Sequence, residues 1–153
     1  MDRPPSPAEL DRVEALIESW LEAESVDNPA IAAYERDSEN PRLWHIRMLG
    51  EAKDSFTVRF RLGQRSLHFE TYLMPAPEEN HQAFYEHLLR RNLRIVGGAF
   101  AIGEQDAVFL VGQIHVAWLD ENELDRIAGS LYQWVEQFFE PALRIGFARH
   151  FSQ

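Results

Sequence analysis

The sequence predicts an α+β fold, an antiparallel sheet with helices in the order α-β-β-β-α-β-β-α. Three observations point there. Apolar and polar residues alternate in three successive runs between residues 43 and 73. Amphipathic helical periodicity opens and closes the chain. A glycine pair, Gly97-Gly98, separates a middle helix from two further extended runs. Period two over several neighbouring segments marks an antiparallel sheet with one face on a core, and a 3.6-residue period marks helices packed against it.

The first helix is announced by Ser6-Pro7-Ala8-Glu9, a capping-box spacing with proline at the first helical position. Leu10, Val13, Ile17, Trp20 and Leu21 recur on one face and carry the helix to about Glu24. Asn28-Pro29 and Asn40-Pro41 bracket "AIAAYERDSE", which leans to a short strand. In "LWHIRML" Trp44, Ile46 and Met48 face one way, His45 and Arg47 the other. In "FTVRFRL" Phe56, Val58, Phe60 and Leu62 alternate with Thr57, Arg59 and Arg61. In "LHFETYL" Leu67, Phe69 and Leu73 alternate with His68, Glu70 and Tyr72. Gly63 opens a tight turn between the last two. Turn chemistry leaves the register open by one pair, and either choice sets apolar opposite apolar.

Pro75 and Pro77 end that strand, and Pro77-Glu78-Glu79 has the fixed φ and negative charge suited to a helix start. The helix is expected to reach about Asn92, burying Phe84 and Leu88 with Tyr85 and Leu89 beside them. "AFAIG" and "AVFLVGQI" follow as a hairpin around "GEQD". Ala107 to Val111 is apolar at every position, which predicts a strand covered on both faces. The last helix opens at Asp120 with Glu123 as cap partner, and a kink or break is expected at Pro141. Arg126, Ser130, Gln133, Gln137, Glu140 and Arg144 form its polar stripe. Its apolar arc spans about 180°, against roughly 100° for an ordinary surface helix.

The 153 residues fit one domain, 1–153, able to bury about two-thirds of the unfolded surface. With no cysteine, disulfides, thiolate metal sites and a cysteine nucleophile are excluded, and a cytoplasmic location is expected. The opening "MDRPPSPAEL" lacks the pattern of a signal peptide, and "AVFLVG" is too short for a membrane span. Lys+Arg 15 minus Asp+Glu 25 gives −10, a field that repels phosphate backbones, so neither nucleic acid nor membrane is an expected partner.

No catalytic residue, metal site or cofactor is expected. His81 and His87 are six apart and do not converge on one side of a helix, and no G-x-S-x-G, P-loop or dinucleotide motif occurs. "PAPEENH" is accounted for by helix capping. One constellation carries weight. His45, Arg47, Arg59, Arg61, His68 and Glu70 project from one side of the sheet if their strands are neighbours. Its ordinary account is a solvated face with cross-strand pairs such as Arg59 with Glu70. The functional account is a docking surface for an acidic segment or for this protein's own acidic helices or, alternatively, a small-molecule site or enzymatic domain in which the arginines clamp a carboxylate or phosphate. Proton transfer between His68 and Glu70 is disfavoured, because residues two apart on a strand lie about 7 Å apart.

"LWHIRMLGEAKDSFTVRF", "QRSLHFETYLMPAPEEN", "YEHLLRRN", "FAIGEQDAVFLVGQ" and "ELDRIAGSLYQWVEQFFEPALRIGFA" together resemble the bacterial YbjN-domain family over residues 42–148. Members are labelled sensory transduction regulators. That family is similar in fold to type III secretion chaperones, small acidic and commonly dimeric proteins that hold an unfolded stretch of a client. The resemblance implies no catalytic residues. The surplus apolar arc of the last helix, the strand covered on both faces and the absence of a reaction motif lead to the expectation of a non-enzymatic binding protein, a chaperone-like adaptor or regulator with a protein or peptide client. The surplus apolar arc leads to the expectation of a homodimer. Phe84, Leu88, Leu131, Trp134 and Phe138 are the expected contacts.

Overall fold

The computed structural model describes residues 3–151, so residues 1–2 and 152–153 of the expected 1–153 domain lie outside the described residues. Helix α1 (Pro7–Asp27) is followed by strands β1 (Ile31–Arg36), β2 (Leu43–Leu49), β3 (Ser55–Leu62) and β4 (Ser66–Met74). Helix α2 (His81–Asn92), strands β5 (Ala99–Ile102) and β6 (Val108–His115), and helix α3 (Glu121–Gly146) complete the order, with short 3₁₀ turns around them. The predicted order is present, and the bracketed segment 30–39 supplies β1 at its head.

All strand pairs are antiparallel, in the order β1-β2-β3-β4-β6-β5. Register follows the hydrophobic pattern. Trp44 pairs with Phe60, Ile46 with Val58, Phe60 with Phe69 and Leu62 with Leu67, so the rows on one side of the sheet are apolar except at Thr71, opposite Val58, whose buried hydroxyl donates to the Thr57 carbonyl at 2.8 Å. That side packs against all three helices in one core, where Trp44, Phe60, Phe84, Ile17 and Leu21 are fully buried. Each such side chain contributes roughly 2–3 kcal/mol of transfer free energy. Among the described residues the other side of the sheet carries no helix.

Capping is as the sequence implies at α1 and α3. The Ser6 hydroxyl accepts the Glu9 N–H at 3.1 Å, and Asp120 Oδ1 accepts the Glu123 N–H at 2.8 Å. At α2 the expectation fails. That helix begins at His81, after Asn80 in a left-handed conformation (φ 53°), and Glu78 and Glu79 lie outside it. Their backbone N–H groups instead donate to the Gly146 carbonyl at 2.9 and 3.1 Å, closing the end of α3. Their side chains take His150 Nε2 at 2.9 Å and the Arg149 N–H at 2.8 Å. "PAPEEN" is therefore a brace between the sheet and the C-terminal end of α3.

Helix α3 also runs through Pro141 as one element. Nor is the apolar run in β6 covered twice. Val108 and Leu110 are buried under the helices, whereas Phe109 and Val111 sit half-buried on the helix-free side. At Gly112 a β-carbon would overlap the Phe69 ring and lie 2.6 Å from the Gly97 carbonyl oxygen, so the absent side chain is what lets β6 approach its neighbours.

Candidate functional site

The helix-free side of the sheet is where the six polar candidates meet. Register places Glu35, His45, Arg59, Glu70 and Val111 in one row, and Arg61, His68 and Gln113 in a second. Arg47 lies between Ala33 and Thr57. The sequence expectation that these residues share a face is what the register shows.

Their partners differ from expectation. His45 Nε2 is 2.9 Å from Asp37 Oδ1, and that contact, with the Glu39 and Asn40 N–H groups, holds the Asp37 carboxyl below its usual value. Among the described residues no ion pair takes in Arg47, Arg59 or Arg61, although Arg59 stands directly across from Glu70. His68 is pushed below the ordinary histidine range by burial and then by the nearby Arg61 charge.

The other half of this face is apolar. Tyr72 is 42% exposed and meets Phe109 edge to face with ring centroids 5.7 Å apart. Val111 and the small residues Ala99 and Ala101 extend the patch across β6 and β5. Lys53 Nζ caps one end, 4.9 Å from the Tyr72 ring centre and bonded to the Tyr72 and Leu73 carbonyls at 3.2 and 2.9 Å. Burial pushes this ammonium below its usual value.

The five residues expected at a dimer contact are placed otherwise. Phe84, Leu88, Leu131 and Phe138 are buried inside the chain's own core, and only Trp134 keeps a partly exposed surface. The wide arc of α3 is filled by α1, α2 and β4, so its surplus is consumed within one chain.

The exposed apolar surface lies one helix away. Along α2 and its C-cap, Tyr85, Leu89 and Leu93 follow each other at four-residue steps, parallel to the buried Phe84–Leu88 stripe. Leu89 is 68% exposed, where the sequence suggested burial, and Leu93 is 89% exposed. Tyr85 and Leu89, with Ile102 (58% exposed) on β5, border a groove of about 270 Å³ whose walls include Phe100 and Val108, and Leu93 continues the strip beyond Leu89. β5 is an outermost strand. The four-residue repeat was the signal that could have found this strip.

Neither histidine of α2 builds a site. His81 is exposed at the helix start, and His87, six positions on, has a buried Nε2 with no hydrogen-bond partner. Among the described residues no group of three or more His, Asp and Glu is arranged to hold a metal ion. No described helix is long and apolar enough to cross a membrane. A hollow of about 310 Å³ is walled by Ala33, Tyr34, Glu35, His45, Arg47 and Thr57, and includes neither Arg59 nor Arg61.

Residues 14–144 match the YbjN family profile, described as "Putative bacterial sensory transduction regulator". Uncharacterized proteins of Mycobacterium tuberculosis and Mycobacterium bovis are 29% identical over 138 residues, covering 90% of this chain and 74% of theirs. Among solved structures, a chain of the HopA1–SchA chaperone–effector complex superposes with TM-score 0.60 at 15% identity, covering 89% of this chain and 99% of that one. A chain from the complex of the Yersinia pestis type III secretion chaperone SycH with a fragment of YscM2 does so with TM-score 0.54 at 16% identity, covering 82% and 98%. One from the Pseudomonas aeruginosa ExoU–SpcU complex gives 0.55 at 17%, covering 82% and 98%. At these identities the likeness is one of fold.

Proposed function

The chain belongs to the YbjN family, and on that premise we propose that it is a non-enzymatic protein-binding module, a chaperone-like adaptor or regulator that works as a homodimer. The observation that carries this reading is the apolar strip of Leu89, Leu93 and Ile102 beside the edge strand β5. Contiguous apolar surface of this kind on a small acidic protein marks a contact with another polypeptide. A second copy suits it. An outermost strand adds antiparallel to its own twin about a two-fold axis, and the flanking α2 stripes then cover each other. The fold likeness to chaperones solved in complex with effector or protein fragments supports a further polypeptide client.

The anion-clamp alternative draws on the same arginines, but the hollow beside Arg47 includes neither Arg59 nor Arg61 among its walls.

Selection of a displayed random-peptide library against the immobilised chain tests protein binding. Enriched peptides competed off by soluble chain are the expected result. Enrichment no greater than on blank support would remove the protein-binding reading.

A further inference from the structure

We propose that the helix-free face of the sheet docks an acidic amphipathic helix of a protein partner; this deepens, and rests on, the protein-binding reading above. The face is divided along its strands. β2 and β3 present Arg47, Arg59 and Arg61, while Tyr72 on β4 and Phe109 and Val111 on β6 present apolar surface. β4, with His68, Glu70 and Tyr72, separates β3 from β6, so Arg59 and Arg61 stand roughly 10 Å from the Phe109 and Val111 column at the usual interstrand spacing. That is about the diameter of one α-helix with its side chains. A helix lying along the strands sets one flank against each column.

Charge gives the occupant its sign. The chain holds 25 Asp and Glu, and its helices use them on Arg36, Arg42, Arg90, Arg126 and Arg144. Among the described residues Arg47, Arg59 and Arg61 take no such partner. Glu35 and Glu70 stand on the same face without bonding these arginines, so an acidic ligand offers Arg47, Arg59 and Arg61 carboxylates that the face's own two do not. The chain's own α1 is not that ligand in a second copy, since Asp11, Glu14 and Glu18 are already held by Arg36 and Arg42 at 2.6–2.8 Å.

Backbone chemistry gives the occupant its form. Interior strands of a sheet pair their N–H and C=O groups with each other and offer only side chains on the face. An extended peptide laid across Phe109 and Val111 would bury unpaired backbone groups, whereas a helix satisfies its own. Ala99 and Ala101 on β5 are small enough to leave room at the apolar margin.

The test uses the full chain and two fluorescently labelled synthetic peptides of roughly 18 residues, each with a leucine stripe at helical spacing. One carries glutamate on the flanks of the stripe; in its twin every glutamate is lysine. Anisotropy titration is expected to show the glutamate peptide binding at least about tenfold more tightly than its twin, with the preference reversed in Arg59→Glu/Arg61→Glu. Both sites are exposed, so the variant's melting temperature serves as the control for folding. Equal affinity for the two peptides, or undiminished binding of the glutamate peptide to the variant, would overturn the assignment. If library selection still enriches peptides in that case, only this face is wrong; if selection also fails, the protein-binding reading falls with it. A drop in the wild-type mass by light scattering on making the same double substitution would show a second copy on this face, and would likewise overturn the proposal.

Discussion

Arg59 and Glu70 are Cα partners across β3 and β4, side by side on the helix-free face, and among the described residues no ion pair joins them. The register that would suit a cross-strand pair is present and unused. An arginine left unbonded beside a carboxylate contributes little to folding, because exposed pairs gain little against the entropy of ordering two long side chains. Arg59→Gln and Arg61→Gln are therefore expected to leave the melting temperature within about 2 °C of wild type by differential scanning calorimetry. A larger fall would make these arginines structural.

The contrast is the cluster that ties α1 to the first two strands. Arg36 bonds Glu14 at 2.6 Å and Glu18 at 2.7 Å, and lies 5.3 Å from the Trp44 ring centre. Glu18 also accepts the Trp44 indole N–H and the Tyr34 hydroxyl, both at 3.0 Å. Arg36→Met keeps the stem and removes the charge. It is expected to cost about 1–2 kcal/mol in urea unfolding, after allowance for partial exposure.

Two sets of groups make stability fall with acid. His87 is pushed below 6.5 by burial and then by Arg91, and His68 by burial and then by Arg61. A base with a lowered folded-state pKa binds fewer protons folded than unfolded. Its contribution is complete above about pH 6.5 and is lost as pH drops below that value. Glu14 is held below 4.5 by its bond to Arg42, which with Arg36 outweighs burial. At Glu18 burial acts upward, but bonds from Trp44, Arg36 and Tyr34 outweigh it, again leaving the group below 4.5. The glutamate contribution is complete above pH 4.5 and is lost as pH falls through the folded-state values. Urea midpoints are expected to decline from pH 7 to 5 and again below 4.5. His68→Gln/His87→Gln should flatten the upper step, and its persistence in that variant would refute the assignment.

Gly112→Ala tests the close approach of β6 to its neighbours. A methyl there overlaps Phe69 and meets the Gly97 carbonyl oxygen at 2.6 Å. The expected loss is about 1–3 kcal/mol with an unchanged denaturant slope. An unaltered midpoint would mean that the Phe69 ring moves aside freely.

How far the sequence reaches depends on whether a contact is local. The alternation Phe56-Val58-Phe60-Leu62 against Leu67-Phe69-Leu73 shows strands and buried face together, because a one-residue slip would turn every apolar side chain to water. The shared face of His45, Arg47, Arg59, Arg61, His68 and Glu70 follows from the same period. "PAPEEN" has the composition of a helix start, and what claims its N–H groups is a carbonyl at Gly146, far along the chain. No local pattern carries that. The arc of α3 was legible as surplus, but periodicity does not say whose surface covers it, and α1, α2 and β4 of the same chain do. Tyr85-Leu89-Leu93 shows the reverse: its four-residue step was there to see, yet a stripe beside a buried one looks like more core until the neighbouring elements are placed.

The self-association proposed through α2 and β5 is tested most directly by the molar mass from light scattering coupled to gel filtration at micromolar concentration. Wild type is expected at twice its 17.8 kDa chain mass, and Leu89→Asp/Leu93→Asp, whose sites are exposed in one chain, at the mass of a single folded chain. A wild-type protein that elutes as a single chain, or a variant that stays paired, would contradict the account.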